Sequence, residues 1–236
     1  MLGTIIGDVI GSYYEVLEIE HSKKEHTPRP YEERMKIMDP NTKLFRENCS
    51  CTDDSILTCA VADCMLNGLF NYESYLKGYG KRELNLGVDK YGRSRFGKGF
   101  VDWVEGTYQG TSYGNGAAMS ISPIGYLDVL DWVEIESHLA TIPSHNHEEA
   151  INSAEAVAVS IYLLRNGMTK EELKKYLEGN YYSLDYDLET LRREYKFSSK
   201  ASESVPQALF VFLESNNFED AIRKAISIGG DSDTIA

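Results

Sequence analysis

An all-α fold is what this sequence predicts, on three observations. Apolar residues return every three or four positions along most of the chain, as at Ala150, Ala154, Val157, Ala158, Ile161 and Leu164. No run alternates apolar and polar residues as a half-buried strand requires. Helix boundary signals recur as well. Gly167 is a C-terminal stop for a helix over 148–166, Thr169 with Glu172 forms a capping box for the next helix, and Asn217 with Glu219 and Asp220 opens another. With 236 residues, the chain can bury a full core, and one compact helical domain over 1–236 is expected.

The opening segment, 2–15, reads LGTIIGDVIGSYYE and places Gly3, Gly7 and Gly11 on one helical face. Glycine weakens a helix by up to about 1 kcal/mol relative to alanine. A stripe of three therefore points to close approach by another backbone or a ligand, with tight packing alone as the alternative. Residues 21–47 are polar, carry Pro28, Pro30 and Pro40, and show no helical period, so a long loop is expected. Loops of that length inside a compact domain serve as lids or binding loops, or are disordered. Helices are then expected over 53–67, 72–79, 95–106, 132–141, 148–166, 170–178, 188–195, 205–214 and 218–227. Ala236 follows so soon after Asp233-Thr234 that a helix capped by them would have no body, and a C-terminally truncated chain is expected.

The net charge of −13 and a pI of about 4.9 leave no general footprint for a phosphate backbone, so bulk nucleic-acid binding is not expected. A local metal-filled or cationic site is still compatible with a small phosphorylated ligand. No stretch has the pattern of a secretory leader or the ~20 apolar residues of a membrane span. Cys49, Cys51, Cys59 and Cys64 lack zinc-site spacing, and the last two read as small apolar residues of a helix. A cytoplasmic protein without membrane association is the expectation.

Two acidic clusters stand at opposite ends of the chain, Thr52-Asp53-Asp54 and Asp231-Ser232-Asp233-Thr234. Their carboxylate and hydroxyl oxygens suit hard cations such as Mg²⁺, Mn²⁺ or Ca²⁺. Helix capping explains the first cluster equally well, since Thr52 precedes two acidic residues and an apolar run. The second follows Gly229-Gly230, which lets the backbone turn sharply. A shared metal site and simple capping both stay open on spacing. Ser112-Tyr113-Gly114-Asn115-Gly116 is a glycine-punctuated loop that is either an ordinary turn or a cradle of N–H groups for a phosphate or ribose. His145 and His147 precede the helix over 148–166 two residues apart, which is not the spacing of a helical zinc pair.

The segments GDVIGSYYE (7–15), CTDDSILTCAVAD (51–63), SYGNGAAMSISPIGY (112–126), SHNHEEAINSAEAVAVSIYLLRNG (144–167) and FEDAIRKAISIGGDSDTIA (218–236) together resemble, in order and spacing, the ADP-ribosylglycohydrolase family. The resemblance implies an all-α enzyme that removes ADP-ribose from a modified protein or small acceptor, using two divalent cations, Mg²⁺ or Mn²⁺. It implies Thr52, Asp53, Asp54, Asp231, Asp233 and Thr234 as metal ligands, with Glu15, Asp53 and Asp233 at the reacting bond. It also implies that Ser112, Tyr113, Gly114, Asn115 and Gly116 hold ADP-ribose, that His145 contacts a ribose, and that Asp8 supports the site. Ser120 stands where many members of the family carry arginine. A dinuclear phosphoesterase and a silent ADP-ribose-binding protein are the alternatives, and retention of Glu15 with all six metal-motif residues favours the enzyme. The acceptor and the identity of the general base stay open.

Overall fold

A computed structural model of the chain describes residues 2–68, 70–88 and 94–236. Along these run α1 (Leu2–Glu25), α2 (Tyr31–Met35), α3 (Asp53–Leu66), α4 (Tyr72–Asn85), α5 (Lys98–Val104), α6 (Gly116–Ser120), α7 (Leu130–Thr141), α8 (Glu148–Arg165), α9 (Lys170–Asn180), α10 (Leu188–Glu194), α11 (Ala201–Leu213), α12 (Phe218–Ile228) and α13 (Ser232–Ile235). Short 3-10 turns occupy Lys36–Met38 and Ile124–Tyr126. No strand occurs among the described residues, and one isolated bridge joins Thr111 to His145. The fold is all-α, as the periodicity requires.

The chain forms two compact units. The first, Thr52–Met168, holds α3 to α8. Here α8 buries Ala150, Ala154, Ala156, Ala158 and Val159, and such small side chains let α6 and α7 pack closely on it. α3 lies against α4 and α6, and the Thr58 hydroxyl donates to the Met119 carbonyl at 3.3 Å. A buried Tyr72 hydroxyl donates to the Glu136 carboxylate at 2.8 Å and ties α4 to α7. Cys64 is buried as expected of a small apolar residue, while Cys59 is half-buried.

The second unit joins Leu2–Cys51 to Thr169–Ala236. Its core sets Ile10 and Tyr14 of α1 against Ile37 and against Ile222 and Ile226 of α12. The glycine stripe of α1 is explained by backbone approach. A Cβ on Gly7 would lie 2.3 Å from the Ala236 carbonyl oxygen, and one on Gly11 would lie 2.3 Å from that of Ser232 and 2.5 Å from the Asp233 Cα. Gly3 meets only the Phe218 ring, at 3.2 Å.

The expectation of a long loop over 21–47 is corrected. α1 continues to Glu25, and α2 with its 3-10 extension occupies part of the remainder. The order comes from charged residues turned inward. Arg34 of α2 is 0% exposed and pairs with Glu18. The Arg223 guanidinium of α12 donates to the carbonyls of Ile37, Asp39 and Thr42 and so gathers the segment onto that helix. Elsewhere α11 starts at Ala201 rather than 205, α5 is shorter than expected because Gly97 serves as its N-cap, and the Asp231-Ser232-Asp233 cluster does open a helix, of one turn.

Gly11→Ala is expected to lose about 1–3 kcal/mol of stability or more through overpacking against Ser232 and Asp233. Gly78→Ala, in open space on α4, is expected to be neutral or to gain up to about 1 kcal/mol. Thermal melts of the two variants measure the contrast, and equal effects would contradict the backbone contact.

Candidate metal centre and ligand loop

α12 ends in a turn built from two left-handed glycines, Gly229 and Gly230, each with φ +76°. No side chain fits at either. A Cβ on Gly229 would lie 2.4 Å from the Arg34 guanidinium carbon, and one on Gly230 would lie 2.3 Å from the Tyr195 ring. The turn delivers Asp231 to the N-cap of α13, whose single helical turn is closed by the Ile235 N–H donating to the Asp231 carbonyl at 2.9 Å. The Thr234 N–H donates to Asp233 Oδ1 at 3.0 Å.

Because Gly11 seats Ser232 and Asp233, Glu15, one helical turn further along α1, comes to the same place. Carboxylate oxygens of Glu15, Asp231 and Asp233 all lie within 4.8 Å of one another, and one of Asp8 lies within that distance of Asp233. Asp8, Asp231 and Asp233 are buried. Carboxylates this close repel one another strongly unless a cation or protons neutralise them. The donors are all hard oxygens with no thiolate or imidazole among them, so the set fits Mg²⁺ or Mn²⁺.

In the first unit Thr52 caps α3. Its hydroxyl oxygen accepts from the Asp54 N–H at 3.3 Å and donates to Asp54 Oδ2 at 3.0 Å. Capping is therefore a real role of this cluster. Capping alone does not require Asp54 to be buried, which it is at 4% exposure. Asp53 occupies the first turn beside it.

The loop at 110–116 is built around His145. The Asn146 N–H donates to the Gly110 carbonyl at 2.8 Å, and left-handed Gly110 passes so close to Pro143 that a Cβ would lie 2.3 Å from its carbonyl oxygen. His145 Nδ1 is 2.8 Å from the Ser144 hydroxyl, and a Cβ on Gly116 would lie 2.9 Å from His145 Nε2. The Ser112 hydroxyl accepts from the Gly114 N–H at 3.1 Å, which curls the loop. Asn115 is buried, while the Tyr113 ring is 49% exposed and lies 5.6 Å from the His147 ring. His147 caps α8 through Nδ1, which accepts from the Glu149 N–H at 3.2 Å.

The sequence profile of ADP-ribosylglycohydrolases matches residues 1–236, the whole chain. The chain belongs to the ADP-ribosylglycohydrolase family. It is 25% identical to the ADP-ribosylarginine hydrolase Tri1 of Pseudomonas putida, in an alignment covering all of this chain and 66% of that protein. It is 26% identical to the ADP-ribosylhydrolase ARH3 of Xenopus tropicalis and to an uncharacterized protein of Archaeoglobus fulgidus, spanning 82% of each. The solved structure of an ADP-ribosylglycohydrolase-related protein complex superposes with a TM-score of 0.63 at 20% identity, over 99% of this chain and 81% of that one, and shows a shared fold.

Ser120 is buried and donates back to the Gly116 and Ala117 carbonyls at 3.1 Å, so it serves the short helix α6 on which it sits. Arg34 and Tyr195, which press on the Gly229-Gly230 turn, and Glu18, which pairs with Arg34, have no signal of their own in the sequence. Only the paired glycines hint that something presses on that backbone.

Burial pulls the His145 imidazole down to about 4. An unfolded histidine titrates near 6.5, so between these values the unfolded chain binds the extra proton. The stability from keeping His145 neutral is full above about pH 6.5 and is lost as the pH falls through about 4. Urea midpoints for the protein and for His145→Asn between pH 7 and 4.5 are expected to diverge, the unsubstituted protein losing on the order of 2–3 kcal/mol more. Parallel losses would show that the imidazole titrates normally.

Proposed function

We propose that this chain hydrolyses the linkage between ADP-ribose and an acceptor, with divalent cations held at Glu15, Asp231 and Asp233. The observation that carries the proposal is the convergence of these three carboxylates, within 4.8 Å of one another, on a turn that only glycines can make. Thr234, Thr52, Asp53 and Asp54 are proposed as the remaining ligands, and for the last three the support is family membership. Two cations, Mg²⁺ or Mn²⁺, would supply Lewis acidity toward ribose hydroxyls and a water of lowered pKa.

The chain's own residues would do the rest. Glu15 or a neighbouring aspartate would take the proton from the attacking water. Asp53 and Asp233 would keep negative charge near the anomeric carbon, where positive charge develops as the bond breaks. Backbone N–H groups of Ser112, Tyr113 and Gly116, with the Asn115 side chain, would hold the phosphates and adjoining ribose, on a loop that the Gly114 N–H curls by donating to the Ser112 hydroxyl. His145, neutral at physiological pH, would brace that loop and accept or donate one bond at the ribose. The relatives named for ADP-ribosylarginine hydrolysis and ADP-ribosyl hydrolysis support this substrate class. The acceptor is either nitrogen- or oxygen-linked. No described helix is long and apolar enough to cross a membrane, and the cytoplasm is the proposed compartment.

Release of free ADP-ribose from ADP-ribosylated arginine and serine peptides, followed by chromatography with and without EDTA, tests the proposal. Metal-dependent release is expected, with at least about a 100-fold loss in Asp233→Ala at unchanged helical circular dichroism. Release of AMP or inorganic phosphate instead would identify a phosphoesterase. Tight ADP-ribose binding with no product would identify a binding protein. Asn115→Ala is expected to weaken ADP-ribose affinity about tenfold, the equivalent of one buried hydrogen bond, and an unchanged calorimetric affinity would remove the loop from the site.

A further inference from the structure

Arg34 occupies an unusual place for a guanidinium. It is fully buried, and it grips Glu18 with two hydrogen bonds, Nη2 to Oε2 at 2.7 Å and Nε to Oε1 at 3.2 Å. Its remaining N–H groups donate to the end of α10, Nη1 to the Arg192 carbonyl at 3.3 Å and Nη2 to that of Tyr195 at 3.0 Å. The group also lies against the Cα of Gly229. Arg29, itself buried, makes a second ion pair with Glu18 at 3.1 Å.

A buried ion pair is a poor source of stability, because desolvation of both charges offsets their attraction, and an apolar pair of equal volume often does as well. What a planar guanidinium offers is geometry. It bonds in a fixed fork that lysine cannot reproduce. The three places it fixes here are informative. Glu18 is one helical turn beyond Glu15 on α1. Tyr195 carries the ring beneath Gly230, and its hydroxyl is anchored on the Glu203 carbonyl at 2.8 Å. Gly229 stands two residues before Asp231.

We propose that Arg34 is a positioning residue for the cation site: clamped to Glu18 and to the α10 carbonyls, it sets the spacing between Glu15 on α1 and the Asp231 and Asp233 carboxylates beyond Gly229. This role rests on the assignment of those three carboxylates as cation ligands. Arg34 is assigned no direct part in binding the cation or the substrate. It acts by holding the floor on which the glycine turn rests, and Tyr195 is the second plank of that floor.

The test uses Arg34→Lys in the full chain, with three readouts: helical circular dichroism and melting, Mn²⁺ affinity from the electron paramagnetic resonance of free Mn²⁺, and the crystal structure. A folded variant with about tenfold weaker Mn²⁺ binding is expected, as for other residues that orient metal ligands. Its crystal structure is expected to show the Glu15, Asp231 and Asp233 oxygens no longer all within 4.8 Å of one another. A lower melting temperature with unchanged Mn²⁺ affinity and unchanged carboxylate spacing would overturn the proposal and leave Arg34 a structural residue. Should Arg34→Lys fail to fold, Arg34→Gln removes the fork while Glu18 keeps its ion pair with Arg29, and the same tenfold loss is expected. Native Mn²⁺ affinity in that protein would overturn the proposal equally. If the unsubstituted protein binds no Mn²⁺, the cation assignment fails, while the carboxylate spacing in the variant's crystal structure still decides the role of Arg34.

Discussion

The backbone of residues 232–236 resting on the glycine face of α1 is the contact on which the candidate metal centre depends. At Gly7 and Gly11 the approach leaves no room for even a methyl group. Each glycine weakens the helix by up to about 1 kcal/mol, and dispersion contacts along the seat repay some of that cost. The consequence is geometric. A residue near the start of the chain, Glu15, meets Asp231 and Asp233 near its end, and their mutual repulsion creates the demand for a cation. The same seat explains why so short a helix as α13 is formed at all: it is held from below.

The second unit spends its buried charge on order. Arg34, Arg29 and Glu18 pin α2 to α1 and α10, and Arg223 collects three carbonyls of the segment that follows. None of these groups is a strong source of net stability. Arg34 and Arg223 satisfy backbone carbonyls that would otherwise be left without donors. The first unit solves its version of the problem differently. A single neutral imidazole, His145, fills the space under a loop whose glycines leave no Cβ in the way, and Ser144 satisfies its other nitrogen. Both devices hold a polar turn rigid enough to present carboxylates or N–H groups in fixed directions.

Much of this was legible because it is local. The cap at Thr52, the capping box of Thr169 and Glu172, the cap at Asn217 and the left-handed stop at Gly167 all depend on neighbours within four residues, and each forms as its sequence indicates. The glycine stripe announced a close contact without naming the partner. What spacing could not supply was long-range placement. Nothing in the segment 21–47 distinguishes Arg34 from a solvated arginine, so its order was invisible until Glu18 and the α10 carbonyls were seen around it. The convergence of Glu15 with the second acidic cluster came from the family resemblance, because no local rule joins opposite ends of a chain. His145 shows the same limit: its motif was readable, its burial was not.

The central claim is that the chain binds ADP-ribose with the help of a cation held at Glu15, Asp231 and Asp233. Calorimetric titration of ADP-ribose into the folded protein, first with Mg²⁺ and then with EDTA, addresses it most directly. Saturable binding that weakens at least about tenfold on chelation, a difference of about 1.4 kcal/mol, is the expected result. Equal affinity in both conditions, or no binding by a protein with its full helical circular dichroism, would contradict the account.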